Sequence, residues 1–277
     1  AATLAKDYHM IWIDLENATE TLVKLPDELK RNIDIIKIPD RASSPVACNT
    51  ILNLLKFKKA DICLKHGLIN CAACKSGGVI QHVDLTNLNP RKDVVVLDSL
   101  TQLGLSMLAK VLRDKDFDYK PQQDDWGENR RYTEYVASEI QSVPFNFIAT
   151  ATPIEVTLED KRVKLVPQYG SKDMSQNVMA KFSTVIFTEV VNKQHKAYSR
   201  STASNMFVTG SRSGQAIENL AEPSLLPIFK EYMEGKIEQT KTVNSTASRG
   251  TEPAKVALPS GEAKAINKLT GLKLGKS

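Results

Sequence analysis

The sequence predicts an α/β fold with a mainly parallel sheet. Three observations carry this. Val94-Val95-Val96-Leu97-Asp98-Ser99-Leu100-Thr101 is an apolar run entered from polar Pro90-Arg91-Lys92-Asp93 and stopped by an acid and hydroxyls. That is the pattern of a strand buried on both faces. Tyr8-His9-Met10-Ile11-Trp12-Ile13-Asp14-Leu15-Glu16-Asn17 is a second apolar run ending in acids, and Phe145-Asn146-Phe147-Ile148-Ala149-Thr150-Ala151-Thr152 is a third, ending in a hydroxyl. Helical patterns separate them, as the crossovers of a parallel sheet require.

At 277 residues, 42% hydrophobic and 25% charged, the chain can bury one substantial core. Residues 1–234 are expected to form it, with an insertion at 61–80 and a tail at 235–277. No stretch reaches the roughly 18 apolar residues of a membrane span, and residues 1–30 lack the apolar core of a signal peptide. A soluble, cytoplasmic protein without a membrane partner is expected. From residue 235 onward there are eight Lys or Arg against three Glu, which accounts for the whole net charge of +5. The tail has Lys, Thr, Ser, Pro and Gly but no aromatic residue, so it is expected to be disordered and basic. Any nucleic-acid affinity of the neutral body must come from local patches.

Taken in order, Ala1-Ala2-Thr3-Leu4-Ala5-Lys6 has strong helix formers and no cap, and reads as the continuation of a helix. The strand at 8–17 follows, ending at Asp14 and Glu16. Glu16 can stand with Glu20 as an acid favouring a helix N-terminus. Residues 24–60 read as scaffold: a helix start at Leu25-Pro26-Asp27, a strand at 33–38 and an amphipathic helix at 45–59.

Cys63, His66, Cys71 and Cys74 have the spacing C-x2-H-x4-C-x2-C, two knuckles with Gly67 and Gly77 available for tight turns. Three thiolates and an imidazole make a closed tetrahedral set, so Zn²⁺ here is expected to be structural. A redox pair or a disulfide is the competing reading, disfavoured in a cytosolic chain without a thioredoxin-like unit. Cys48 falls outside the spacing and is expected to be a buried thiol.

Residues 102–125 read as a long polar segment, followed by a helix at 128–142 that stops before Pro144. Thr152 ends the next strand, either as a polar group facing a ligand or as a cap before Pro153. Residues 155–166 alternate about a Glu-Asp turn, which predicts a β-hairpin. Arg162, Lys164, Tyr169 and Lys172 follow one another here. Cations with one aromatic suit contact with a nucleic-acid backbone and stacking on a base, and a merely solvated hairpin is the alternative. A strand is expected at 182–191, a turn at 192–196, and cations late in the core at Lys196, Arg200 and Arg212.

The order of these motifs matters more than any one of them. D-L-E at 14–16, the Cys/His cluster, V-V-V-L-D-S-L-T-Q-L at 94–103, D-D-W-G at 124–127, the hairpin, V-N-K-Q-H-K at 191–196, T-G-S-R-S at 209–213 and E-P-S-L-L-P-I-F at 222–229 together resemble the phage-encoded nucleotide-binding proteins of the RecA-like P-loop ATPase superfamily. The resemblance spans residues 1–232. It implies a RecA-like core, Mg²⁺ and ATP as cofactors, and single-stranded DNA as partner of a homo-oligomeric ring or filament. Asp98, on what resembles a Walker B strand, would serve the metal together with Ser99 and Asp14. Glu16 would activate water, Thr152 would sense the γ-phosphate, and one of Lys196, Arg200 and Arg212 would face a neighbour's nucleotide.

By the same resemblance the chain is a recombination protein acting in the bacterial host cytoplasm, with a single-strand-binding protein as a further partner. Two departures stand out. The position of Thr152 is often histidine in that group, and the phosphate loop G-x-x-x-x-G-K-[ST] is absent. That loop is expected just ahead of residue 1, so the native protein is expected to begin roughly 20 to 40 residues earlier. Gly271-Leu272-Lys273-Leu274-Gly275-Lys276-Ser277 is one residue short of such a loop and follows no buried strand. The alternatives are a DNA-binding or structural ring subunit without turnover, or a related helicase or packaging motor.

Overall fold

A computed structural model describes residues 1–74, 77–116, 118–199, 206–211, 224–226 and 228–230. Arg200, Arg212 and the tail expected at 235–277 lie outside the described residues. The chain opens with a 3₁₀ turn (Ala2–Lys6), then β1 (His9–Asp14), α1 (Glu20–Val23), α2 (Asp27–Lys30), β2 (Ile33–Lys37), α3 (Ala47–Phe57), β3 (Lys59–Cys63) and β4 (Ile80–Asp84). It continues through β5 (Asp93–Asp98), α4 (Leu100–Val111), α5 (Gln123–Ser142), β6 (Asn146–Ala149), β7 (Pro153–Thr157), β8 (Val163–Pro167) and α6 (Lys172–Asn177). Short strands β9 (Thr184–Val185), β10 (Phe187–Val191), β11 (Gln194–Tyr198) and β12 (Gly210–Ser211) complete it.

The fold is mixed α/β around a four-stranded, wholly parallel sheet of order β2-β1-β5-β6. Its apolar runs are continuous because both faces are covered. Ile11, Ile13, Val95 and Leu97 face a core completed by α3, α4 and α5. Met10, Trp12, Val94 and Val96 face a second core with Leu4, Ala5 and Leu22, closed by Leu225, Leu226 and Phe229. At the amino edge His9 bridges three strands, its ring nitrogens 3.1 Å from Asp93 and 3.0 Å from Asp34.

α3 buries Ala47, Cys48, Ile51, Leu54 and Leu55, a helical stripe, and ends where Lys58 turns left-handed at φ 56°. Two expected boundaries are corrected. Residues 102–125 are not one polar stretch: α4 runs through Val111 with Leu103, Gly104 and Met107 inward. α5 begins five residues before 128, because Gln122 and Asp125 form a capping box there. The expected strand at 182–191 is broken into β9 and β10. β7 and β8 pair antiparallel as a hairpin, and residues 206–208 bond to Leu165 alongside it.

Candidate functional site

Parallel pairing carries every strand's carboxyl end to one edge, and β1 and β5 are neighbours in a register that sets Asp14 beside Asp98. Leu15 N–H donates to Asp98 O at 2.7 Å, locking the two ends together. Asp14 is 2% exposed. Its Oδ1 accepts from the Glu16 and Ala18 amides at 3.0 and 3.3 Å, while Oδ2 is buried with no hydrogen-bond partner among the described residues. Ser99 caps α4 by accepting from Gln102 N–H at 3.2 Å and donates its own proton to Glu16 Oε1. Asp98 Oδ1 accepts from Thr150 Oγ1 at 2.5 Å.

Three carboxylates and two hydroxyls thus meet at one edge. The set is rich in oxygen acceptors, which the two hydroxyls satisfy only in part. Thr152 is not among them. It stands two residues beyond Thr150, exposed, with its Oγ1 3.1 Å from Thr101 Oγ1 and 3.2 Å from Gln168 Oε1. The hydroxyl on Asp98 is Thr150, and the only signal for it in the sequence is its place one residue past the last apolar position of the strand.

The second cluster is local. Cys63 ends β3, and the chain returns through Gly67, whose N–H donates to Cys63 O at 2.7 Å with φ +68°. A 3₁₀ turn (Ala72–Cys74) presents Cys71 and Cys74. The second tight glycine is Gly78 rather than Gly77: a Cβ on Gly78 would lie 2.2 Å from Cys74 Cβ, whereas one on Gly77 meets nothing within 4 Å. The four donor atoms lie within 4.8 Å of one another, and His66 Nδ1 stands 3.6, 3.4 and 3.4 Å from the sulfurs of Cys63, Cys71 and Cys74.

A tetrahedral ion with Zn–S of about 2.3 Å and Zn–N of about 2.0–2.1 Å sets nitrogen and sulfur about 3.6 Å apart, so the set fits zinc-like coordination through Nδ1. Without a cation the thiols compete. Burial raises Cys63, but hydrogen bonds from Cys74 and from the His66 and Lys65 backbone outweigh it and hold the thiol at about 7. Its hydrogen bond with Cys63, then burial and Cys71, push Cys74 up to about 11. Cys48 stands apart, buried in α3, its thiol held up by that burial.

The residues expected at a nucleic-acid surface separate. Lys172 is exposed at the start of α6, and Arg162 is exposed but paired with Asp160, Nε at 2.6 Å. Lys164 is corrected as a surface cation: on β8 it is only 8% exposed, turned to the buried side of the strand, and cannot reach a nucleic-acid backbone. Tyr169 is a correction. It is fully buried, donates its hydroxyl to Thr133 O at 2.9 Å and is anchored by Ser175, so its ring cannot stack on a base. The cause is backbone packing: a Cβ on Gly104 would lie 2.7 Å from Gly170 N, and Gly170 turns at φ +63°. Two glycines let the loop sink onto α4 and α5.

No protein-family model and no curated protein matches the chain. One residue that the sequence reading passed over is Asp40. Its Oδ1 accepts from Val46 N–H at 2.7 Å, Ala47 N–H at 2.9 Å and Ser106 Oγ at 3.1 Å, and its Oδ2 accepts from Gln102 Nε2 at 3.3 Å. It ties the start of α3 to α4. Nothing in the local sequence marks it, because its partners are backbone amides and residues some sixty positions away.

Proposed function

We propose that the chain is an ATP-dependent, single-stranded-DNA-binding recombination protein of a phage, with a RecA-like ATPase core that works as a homo-oligomer. The observation that carries this reading is the juxtaposition of Asp14-Leu15-Glu16 with Asp98-Ser99 at the carboxyl edge of a parallel sheet. Asp98, steadied by Thr150, and the free oxygen of Asp14 would hold Mg²⁺. Mg²⁺ bound with ATP supplies charge neutralisation at the phosphates. Glu16, oriented by Ser99 Oγ, would take the proton of the attacking water.

The exposed Arg162 and Lys172 would provide backbone contacts to DNA, and Cys63, His66, Cys71 and Cys74 would hold a structural Zn²⁺. The test is hydrolysis of Mg-ATP, with and without single-stranded DNA, in a chain extended by a strand and a phosphate loop. Stimulation by DNA is expected, and Glu16→Gln should keep ATP binding while slowing hydrolysis at least about 100-fold. Binding of DNA with no turnover would favour a ring subunit that keeps the fold alone, and an unchanged rate in Glu16→Gln would remove Glu16 from its role.

A further inference from the structure

We infer that a metal ion in the Cys63/His66/Cys71/Cys74 centre fixes the position of the acidic edge, through a continuous train of contacts that begins at Gly67. This rests on the zinc reading proposed above. Gly67 lies between the ligands of the first knuckle and the second, one residue after His66, so the metal dictates where its backbone sits. That backbone is wedged into the corner between β2 and α3. A Cβ on Gly67 would stand 2.8 Å from Pro39 O, 2.9 Å from Val46 Cγ2 and 3.1 Å from Ile38 Cγ2. Thr50 Oγ1, itself buried, donates to Gly67 O at 2.7 Å and holds the wedge from the α3 side.

Two routes lead from this corner to the edge. The short one is Ile38, whose N–H donates to Asp14 O at 3.0 Å. The long one is Asp40, which binds the first amides of α3 and reaches Gln102 and Ser106 on α4. Gln102 N–H is the donor to Ser99 Oγ, and Ser99 Oγ holds Glu16. Every link is a named contact, and the interior between them is close-packed, so a shift at one end is transmitted and not absorbed. When the metal leaves, three crowded thiols and an imidazole lose the ion that draws them together, and the wedge at Gly67 loosens. Linkage requires the converse: what holds the corner also holds the metal.

Native-state hydrogen exchange on the full chain tests this, with zinc bound and after its removal by a chelator. The Val46, Ala47 and Gln102 amides are expected to exchange about 10-fold faster without zinc, while amides of the β7–β8 pair stay unchanged. Thr50→Val, which touches no metal ligand, is expected to release zinc at least about 5-fold faster and to speed Gln102 exchange with zinc still bound. Zinc release with all three amides still protected would overturn the coupling. If removing zinc unfolds the whole chain, Thr50→Val decides: unchanged zinc release and unchanged Gln102 exchange refute the coupling. A protein that takes up no zinc would refute the metal reading itself, a separate failure visible in the metal content before any exchange is measured.

Discussion

At the metal centre each donor faces the other three within 4.8 Å, whereas at the acidic edge Asp14 keeps a buried carboxylate oxygen with no partner among the described residues. The first cluster can be satisfied by one ion and leaves no coordination position for anything else, which is the signature of a structural site. The second carries acceptors in excess of its donors and is open on one side through the exposed Glu16. Comparing them shows that the number of charged groups says little about role. What separates the two is whether the protein's own atoms complete the set.

The largest effect expected from this contrast is at the closed site. Cys71→Ser should lower zinc affinity more than about 100-fold, since even an outer partner of a ligand is worth 10- to 100-fold. Metal content measured after dialysis checks it, and stoichiometric zinc in the variant would break the comparison. Next is the pH dependence of zinc uptake. Binding needs thiolates, and in the metal-free centre the Cys63 thiol ionises at about 7 and that of Cys74 at about 11. From pH 7 to 11 zinc must still displace the Cys74 proton, and below 7 the Cys63 proton is added to those it displaces. Apparent affinity should therefore rise with pH, about 10-fold per unit for each proton displaced, more steeply below 7 than above. Competition titration against a chelator at several pH values measures the slope, and a flat profile would mean that the thiolates are not the ligands.

The smallest effect sharpens the open side. Asp14→Asn removes a charge that is buried with one oxygen unmatched, so without divalent ions it should stabilise the protein by about 1 kcal/mol. Millimolar Mg²⁺ should raise the Tm of the native protein and not of the variant. If Asp14→Asn instead destabilises and Mg²⁺ changes neither Tm, Asp14 is a structural acid and the edge is as closed as the metal centre.

The parts legible in the sequence were those whose cause is local. The runs at 10–13 and 94–97 announced central strands because burial on both faces leaves no polar position. The Cys/His spacing announced a metal set because a knuckle is short. What stayed hidden depends on contacts between distant segments. Tyr169 looked like a surface aromatic between Gln168 and Lys172, and only the close approach of Gly104 to Gly170 buries it. α4 was masked by Gln102, Ser106 and Lys110, two of which turn out to bond Asp40 and not solvent alone. Thr150 was passed over for Thr152 because alternation cannot say where a strand stops bonding to its neighbour.

The pairing of β1 with β5 also bears on the order in which the molecule can assemble. Ser99 and Glu16 are 83 residues apart, while Cys63 and Cys74 close a loop of only eleven. For flexible chains the entropy of closing the longer loop is greater by about 2 kcal/mol. The knuckles can therefore gather their ion while much of the chain is still unfolded, and the acids come together only once the sheet has closed.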